Sequence, residues 1–342
     1  MEQSIAGHKL KNASFRTEQV SEDELWSAFA HLFSSQTKMV SSYKYGFLKS
    51  IIDNLYNVDE NLTLTFDQLF SKFGEIYWNL ILKYELRQQS RKETYLEQII
   101  KNSVVKYNLP SGVPYESLSA DMMIDISHQI KMKCKTNVVG ALYGDTKGLF
   151  YSFDKRREWL QISPQMYEFI CKHKVTIEKL NYYEWARFLE SVNEESVVNH
   201  LLSKIDESAK RNNLSYYRDI LFQEFENKCF YCGKKVTKEH VDVDHFIPWS
   251  FIKDDNIWNF VLACPECNRR KSDKLADKKY LDNLIIRNSN IQIDTYKGME
   301  NYRRDRLIKI YSWALKNGYN EIWTPKENII HGVNKKCHTL MK

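Results

Sequence analysis

Two Cys-x-x-Cys pairs constrain the fold of this chain more than any other feature of its sequence. Cys229 and Cys232 form the first pair, and Cys264 and Cys267 form the second. Each pair has the spacing of a zinc knuckle, and two knuckles supply four thiolates at about 2.3 Å from a tetrahedral Zn²⁺. Four thiolates leave no open coordination position, so we expect a structural zinc. The alternatives are four cysteines without a metal, or a redox pair.

The other cysteines do not form a disulfide framework. Cys134, Cys171 and Cys337 are scattered along the chain. In a reducing compartment, paired cysteines indicate metal binding rather than disulfides. The N-terminus lacks a basic segment followed by an apolar one, and no apolar run approaches the ~20 residues that span a bilayer. We therefore expect a soluble, cytoplasmic protein without a membrane partner.

The segment between the knuckles carries polar residues in a regular order. It is longer than the ~15–20 residues of a simple zinc ribbon. Alternation of valine and aspartate over 241–244 predicts a strand, and Pro248, which cannot donate to a ladder, is expected to follow its end. The apolar run 260–263 predicts a second strand, and a helix is expected to begin at the second knuckle. The predicted order is strand, loop, strand, helix.

In this order of elements the segment closely resembles the HNH endonucleases of the ββα-metal fold. The matching elements are the Asp244-His245 pair, Pro248, Asn259 before the second strand, and the Cys-x-x-Cys-Asn-x-x-Lys motif at 264–271. The resemblance covers roughly a fifth of the chain. Each element is common alone, but their joint occurrence in this order is specific.

The resemblance implies a role for each matching residue. His245 corresponds to the general base, Asp244 to a metal ligand, and Asn259 to the residue that orients the base. The last motif position is often a second histidine; here it is Asn268, the asparagine variant, which is expected to be the other metal ligand. Asn256 lies close to Asn259 and is the alternative match for the central position.

These residue types suit phosphodiester hydrolysis. A neutral imidazole with a pKa near ~6.5 can take a proton from water at pH 7. Oxygen ligands such as Asp244 and Asn268 favour a hard cation, Mg²⁺ or Mn²⁺, which would neutralise charge at the phosphate. The resemblance implies products with a 5′-phosphate and a 3′-hydroxyl.

Each assignment has a structural alternative. His245 could be a satisfied structural histidine, Asp244 an ordinary strand-end carboxylate, and Asn268 a cap of the following helix. Asp242 shares a strand face with Asp244 and either supports the metal ligands or faces solvent.

Basic residues follow the second knuckle and are expected to bind nucleic acid. Arg269, Arg270 and Lys271 lie where a phosphate backbone would pass, and Lys271 matches the family motif. The alternative is an ordinary solvated helix face.

The first two hundred residues predict mainly helices and contain no recognisable catalytic motif. The signals in chain order are capping boxes at Ser21/Glu24 and Thr65/Gln68, a hairpin over 138–153 turning near Gly144-Asp145, an N-cap at Ser163 before Pro164, and a helix opening at Asn181 with Glu184. Their aromatic and aliphatic stripes indicate core packing.

These signals predict an α+β, mostly helical protein with three parts. Residues 1–210 are expected to form a large helical N-terminal domain, with a boundary in the polar stretch 204–213. Residues 211–290 are expected to form a ββα-metal HNH module stapled by a four-cysteine zinc site, with a helix over 275–286. Residues 291–342 are expected to be a C-terminal helical extension on that module, with a helix over 302–316.

The most favoured function from sequence is a metal-dependent endonuclease. The net charge of +6 and pI of 8.7 suit a nucleic-acid partner but do not require one. DNA is favoured over RNA because most of the family cleaves it, and the helical domain is expected to select the target or bind a protein partner. A restriction-like or phage-defence role rests on analogy. The alternatives are a zinc-stapled nucleic-acid-binding protein without catalysis and an RNA-cleaving toxin.

Overall fold

The chain is mostly helical. The structure, a computed structural model, describes residues 7–34, 36–37, 39–208, 214–290, 299 and 301–325. The α-helices in these ranges are α1 (Glu22–Leu32), α2 (Tyr43–Asp53), α3 (Phe66–Trp78), α4 (Tyr95–Lys106), α5 (Ala120–Asp145), α6 (Pro164–Val192), α7 (Leu201–Asp206), α8 (Ser215–Glu224), α9 (Trp249–Ile252), α10 (Pro265–Lys271), α11 (Lys278–Ser289) and α12 (Arg304–Lys316). Among the described residues, no helix has both the length and the apolar character needed to cross a membrane.

Short strands form three small sheets within the same ranges. The strands are β1 (Asn12–Ala13), β2 (Thr63–Thr65), β3 (Tyr151–Asp154), β4 (Trp159–Ile162), β5 (Asp242–His245), β6 (Phe260–Ala263), β7 (Leu275–Ala276) and β8 (Ile322–Trp323). The first sheet has the order β1-β3-β4-β2 and is antiparallel throughout, β5 pairs antiparallel with β6, and β7 pairs parallel with β8. Together with the helices, these sheets confirm the predicted α+β, mostly helical class, with β5, β6 and α10 near the C-terminus.

Side-chain caps fix the starts of the N-terminal helices where the sequence predicted them. Ser21 and Glu24 form a reciprocal capping box at α1, and Thr65 and Gln68 form another at α3. Ser163 caps α6 through the backbone N–H of Met166, with proline at the first helical position. These predictions are confirmed. Each cap could be predicted because it depends only on groups within one turn of the helix.

Two predictions in this part of the chain were wrong. The hairpin expected over 138–153 is not formed there, because α5 continues to Asp145; the hairpin is β3 and β4, which turns at 155–158. Asn181 does not open a helix, since it lies within α6, where its amide donates to the carbonyl of Tyr45.

In the C-terminal part the expected helices are present with shifted starts. The helix expected over 275–286 begins at Lys278, after the short strand β7, and the helix expected over 302–316 is α12. Part of the predicted boundary, 209–213, lies outside the described residues. So do 291–298, 300 and 326–342 of the predicted extension, and the division into three domains stays a prediction.

A side chain from the C-terminal part is inserted into a break in α6. The backbone of α6 leaves helical geometry at His173, with φ −118° and ψ 19°. The Asn317 amide donates to the carbonyls of Cys171 (3.0 Å) and Lys172 (3.3 Å), and its oxygen accepts from the N–H of Val175 (2.9 Å). Asn317 therefore satisfies backbone groups that the break leaves without helical partners.

A buried ionic network joins α2 to α6. The Lys49 ammonium, which is fully buried, donates to both carboxylate oxygens of Asp53 at 2.8 Å and to Glu178 at 3.3 Å. Burial alone would raise the pKa of Glu178, but Lys174, Lys49 and Lys253 outweigh it and lower that pKa to about 2. Glu178 is therefore ionised in the folded protein, and its loss would remove the carboxylate that lies 3.7 Å from the buried Lys174 ammonium.

We expect Glu178→Gln to reduce the free energy of unfolding at pH 7 by about 3–5 kcal/mol, because it breaks a buried ion pair. The folded-state pKa of Glu178 lies below its ordinary value of 4.5. Its stabilisation is therefore complete above the unfolded pKa and is lost as pH falls towards the folded pKa. Urea unfolding should show a large difference between wild type and variant at pH 7 that narrows towards pH 3.

Glu190→Gln is the matched control, since Glu190 is an exposed carboxylate on the same helix. It should change stability by less than about 0.5 kcal/mol. A Glu178→Gln difference that is the same at pH 7 and pH 3 would contradict the ionic origin of the effect.

Candidate active site and cysteine cluster

The four paired cysteines converge on one point. The Sγ atoms of Cys229, Cys232, Cys264 and Cys267 all lie within 4.8 Å of one another, and those of Cys232 and Cys264 are 3.8 Å apart. Four sulfurs bonded to a tetrahedral zinc at about 2.3 Å would be about 3.8 Å apart. The donor set and spacing therefore fit a metal ion, and the predicted clustering of these cysteines is confirmed.

Local backbone geometry explains how the knuckles close. Gly233 has φ +71°, a conformation that favours glycine, and its N–H donates to the carbonyl of Cys229 at 2.9 Å. The second knuckle begins at Cys264, the N-cap of α10, with Pro265 in the first turn. The N–H of Phe230 donates to the carbonyl of Leu262, so the first knuckle is also fixed to β6.

The two strands between the knuckles form the frame for the candidate catalytic residues. Asp244 lies opposite Val261 and His245 lies opposite Phe260 in the β5–β6 pair. Helix α10 follows β6 directly and packs against both strands. The predicted order of strand, loop, strand and helix is confirmed, and α10 brings its polar side chains to the face of β5 that carries Asp242 and Asp244.

Asp244 is buried and is held by two side chains. The Tyr231 hydroxyl donates to its Oδ2 at 2.5 Å, and the Lys271 ammonium lies 3.0 Å from the same oxygen and 3.2 Å from Oδ1. Burial, and then the charge of Asp244, raise the pKa of Tyr231 far above its ordinary value, so the hydroxyl remains a donor. An ionised carboxylate offers about four lone-pair directions. Asp244 therefore keeps some capacity to bind a cation, although a charged group already neutralises it.

Asn268 lies on the same face but contacts the other aspartate. Its amide donates to Oδ2 of Asp242 at 3.0 Å, and both residues are half-buried. Asp242, which could have faced solvent, thus lies beside a predicted metal ligand. Two carboxylates and an amide on one face supply oxygen donors of the kind that Mg²⁺ or Mn²⁺ prefers, so the residues present fit a hard divalent cation.

His245 is the last residue of β5 and has a carboxylate partner. Its Nε2 lies 2.8 Å from Oδ1 of Asp255, and its ring packs edge-on against Phe260 with centroids 4.7 Å apart. An ionised carboxylate can only accept, so Nε2 carries the proton. Within the described part of the chain no donor reaches Nδ1, whose lone pair is therefore available. Strand alternation directs His245 away from the face of Asp244.

Asn259 fixes the backbone that follows the histidine. Its Oδ1 accepts from the N–H of Ile247 and its amide donates to the Ile247 carbonyl, both at 2.9 Å. Its own carbonyl accepts from the N–H of Phe246. Asn259 therefore acts on the chain next to His245 and not on the imidazole itself. Asn256, the alternative match, donates to Asp254 and Asn57 instead.

The predicted phosphate contact of Lys271 was wrong. Lys271 is fully buried, and its ammonium donates to Asp244 and to the carbonyl of His245 at 2.8 Å. Arg269 and Arg270 are exposed, as a nucleic-acid contact requires. Arg270 also lies 3.5 Å from Glu266, one helical turn away. The motif lysine belongs to the interior because a buried Asp244 needs a cation beside it.

Sequence reasoning missed two residues that contact the candidate site. Tyr231 lies inside the first knuckle, and Asp255 lies ten positions after His245 in a Lys-Asp-Asp-Asn stretch. The position of Tyr231 between two metal-type cysteines could have predicted a contact, because a buried tyrosine hydroxyl needs a hydrogen-bond partner. Nothing in the local pattern of Asp255 distinguishes it from its neighbour Asp254.

The comparisons with known proteins concern this same segment. A family model described as HNH endonuclease matches residues 229–276. No solved structure matches the chain. The matched segment holds the cysteine cluster, both strands, α10 and every candidate catalytic residue. In a chain that is otherwise mainly helical, residues 229–276 thus form a domain of the HNH endonuclease family.

Proposed function

We propose that this protein is a metal-dependent endonuclease that hydrolyses phosphodiester bonds in DNA. One observation carries the proposal: β5 ends in an imidazole with a carboxylate on Nε2, and the opposite face of the same strand carries two carboxylates next to an amide. A domain of the HNH endonuclease family supports the same reaction class.

The residues divide the chemistry among themselves. Asp255 holds the proton on Nε2 of His245, so Nδ1 can take a proton from an attacking water. Asp244 and Asn268, with Asp242 beside them, would hold Mg²⁺ or Mn²⁺. Such a cation, when bound, supplies positive charge to the phosphate and the departing oxygen. The cysteine cluster would hold Zn²⁺ as a structural ion, because four thiolates leave no position for substrate.

Substrate access follows from the burial of these groups. Asp244 and His245 are 6% and 5% exposed. The two side chains leave β5 on opposite faces, and His245 ends the strand. The proposed complex has the phosphate across this strand end, in contact with both. Binding of a nucleic acid therefore requires the side chains that cover this end to move. Exposed Arg269 and Arg270 are the proposed contacts for the phosphate backbone.

The test is cleavage of supercoiled plasmid and of single-stranded RNA with and without Mg²⁺. We expect nicked or linear plasmid only when Mg²⁺ is present, with ends that a DNA ligase can reseal, and we expect RNA to remain intact. Mg²⁺ should be omitted rather than chelated, because a chelator would also remove an ion from the cysteine cluster. Plasmid cleavage that is indifferent to Mg²⁺ would count against the proposal, and RNA cleavage alone would favour a toxin-like RNase.

A second candidate, binding of nucleic acid without cleavage, is favoured by one contact. The Lys271 ammonium already neutralises Asp244, the first proposed ligand of the catalytic cation. A protein that shifts DNA in a native gel but leaves it intact at every Mg²⁺ or Mn²⁺ concentration would support this function.

We extend the proposal to a restriction-like or phage-defence role in the cytoplasm. The support is an analogy with nucleases that carry a large accessory domain. The helical N-terminal part would then select the target or bind a protein partner.

A further inference from the structure

The loop that carries Asp255 connects the candidate site to the helical part of the chain. This loop, Lys253–Asn256, is called the anchor loop here and follows α9. Its Asp255 contacts His245, while the side chains of Lys253, Asp254 and Asn256 contact residues before position 210. The loop therefore links the imidazole to the helical part through hydrogen bonds and an ion pair.

Asn57 is the residue of the helical part that binds the anchor loop most directly. Its amide donates to Oδ2 of Asp254 at 2.5 Å. The amide of Asn256 donates to the same Asp254 oxygen at 3.1 Å and to Oδ1 of Asn57 at 3.4 Å. Both side chains that flank Asp255 are thus bound to one asparagine, and this fixes the backbone between them.

An ion pair and an aromatic contact also attach the anchor loop and its flank to the helical part. The Lys253 ammonium, nearly buried, donates to Asp206 at the end of α7 at 2.9 Å. Lys253 itself has φ +59°, a left-handed conformation that a non-glycine residue keeps only when its surroundings hold it. Just before the loop, the Phe251 ring packs on Tyr56 with centroids 5.9 Å apart.

We propose that Asp255 is a positioning residue for His245, and that the helical part sets this position by holding the anchor loop through Asn57. The inference rests on the proposed function, in which His245 is the base. Asp255 fixes both the ring orientation and the tautomer with the proton on Nε2. If Asn57 releases the loop, Asp255 moves and the imidazole loses its partner, while the cysteine cluster stays intact.

A charge swap tests the contact between the two parts. Asn57→Asp sets a carboxylate against that of Asp254, so the loop should be displaced and kcat for plasmid cleavage should fall about 10- to 100-fold, with KM changed less than about twofold. Asp254→Asn added to it restores one donor and one acceptor, and kcat should recover to within about threefold of wild type. Asn61→Asp, an exposed asparagine in the same segment, is the control and should have no effect.

The tautomer of His245 gives a readout that does not depend on cleavage. Nitrogen-15 spectra of protein labelled at histidine, with the His245 signal assigned by its absence in His245→Ala, should show the Nε2–H form in wild type. Asp255→Asn and Asn57→Asp should both weaken that form, and the swap should restore it. Metal content and circular dichroism should match wild type in each variant.

The outcomes separate this inference from the proposed function. If Asn57→Asp changes neither the His245 spectrum nor kcat, the proposed role of the helical part is overturned. A spectrum that Asp255→Asn leaves unchanged would overturn the role of Asp255. If the wild-type protein cleaves nothing but the variants change the His245 spectrum as expected, the positioning role is supported and the nuclease function is rejected.

Discussion

Replacing His245 with alanine is expected to lower the rate of plasmid cleavage by about 10²- to 10⁴-fold. The reason is that, in the described part of the HNH domain, His245 is the buried imidazole at the end of the strand that carries Asp242 and Asp244, and its Nε2 is already held by Asp255. Without Nδ1, the proposed proton acceptor for the attacking water is lost. Initial rates should be measured at saturating Mg²⁺, so that a change in metal affinity does not imitate a loss of the base.

His240→Ala is the matched control for this experiment. His240 lies in the same segment between the knuckles but is exposed. It should leave the rate within about twofold of wild type, since exposed residues away from a site seldom matter. Because the Phe260 ring packs on His245, His245→Gln should be compared as well; it fills more of the space and should be as inactive. If either His245 variant cleaved at the wild-type rate, the histidine would not be the base.

Replacing Cys267 with alanine is expected to empty the cysteine cluster and unfold the HNH domain. Structural zinc in small domains contributes about 10–16 kcal/mol of apparent binding free energy, which is as large as an ordinary domain's whole stability. Loss of the knuckle would also release Tyr231 from Asp244, so cleavage should disappear together with the metal. Metal analysis should find about one zinc per chain in wild type and less than about a tenth of that in the variant.

Limited proteolysis should show where the Cys267→Ala variant loses structure. New cleavage sites are expected within 229–276, while α2, α3 and α6 should remain protected by their contacts with one another. Cys134→Ala is the control, because Cys134 is a buried cysteine of α5 outside the cluster. It should cost about 1–2 kcal/mol of packing and leave the zinc content unchanged. A Cys267→Ala protein with full zinc and wild-type resistance to protease would disprove a metal role for the cluster.

The predictable part of the fold depends on groups close together in sequence. The capping boxes at Ser21 and Thr65 and the knuckle turns were predictable because a few neighbouring residues determine them. The segment 138–145 was not, because two valines and two glycines are typical of a strand and a turn. Residue 140 is a glycine for a tertiary reason and not to make a turn: a Cβ there would lie 1.9 Å from the carbonyl oxygen of Gly7.

The candidate site likewise has a part that the sequence predicts and a part that it does not. The motif residues could be selected from their spacing, but their partners could not. Lys271 matches a motif position that the sequence assigns to phosphate binding, but its ammonium pairs with the buried carboxylate of Asp244. Asp255 and Asp254 are adjacent and chemically identical, and only the path of the backbone decides which one faces His245.

The break in α6 has a consequence for the order in which the newborn chain matures. The carbonyls of Cys171 and Lys172 and the N–H of Val175 bind the side chain of Asn317. During synthesis, ribosomes deliver those groups well over a hundred residues before that asparagine emerges. The break in α6 therefore lacks this side chain until Asn317 has been synthesised, and a polypeptide that terminates earlier would keep a locally weakened helix that quality-control proteases can recognise.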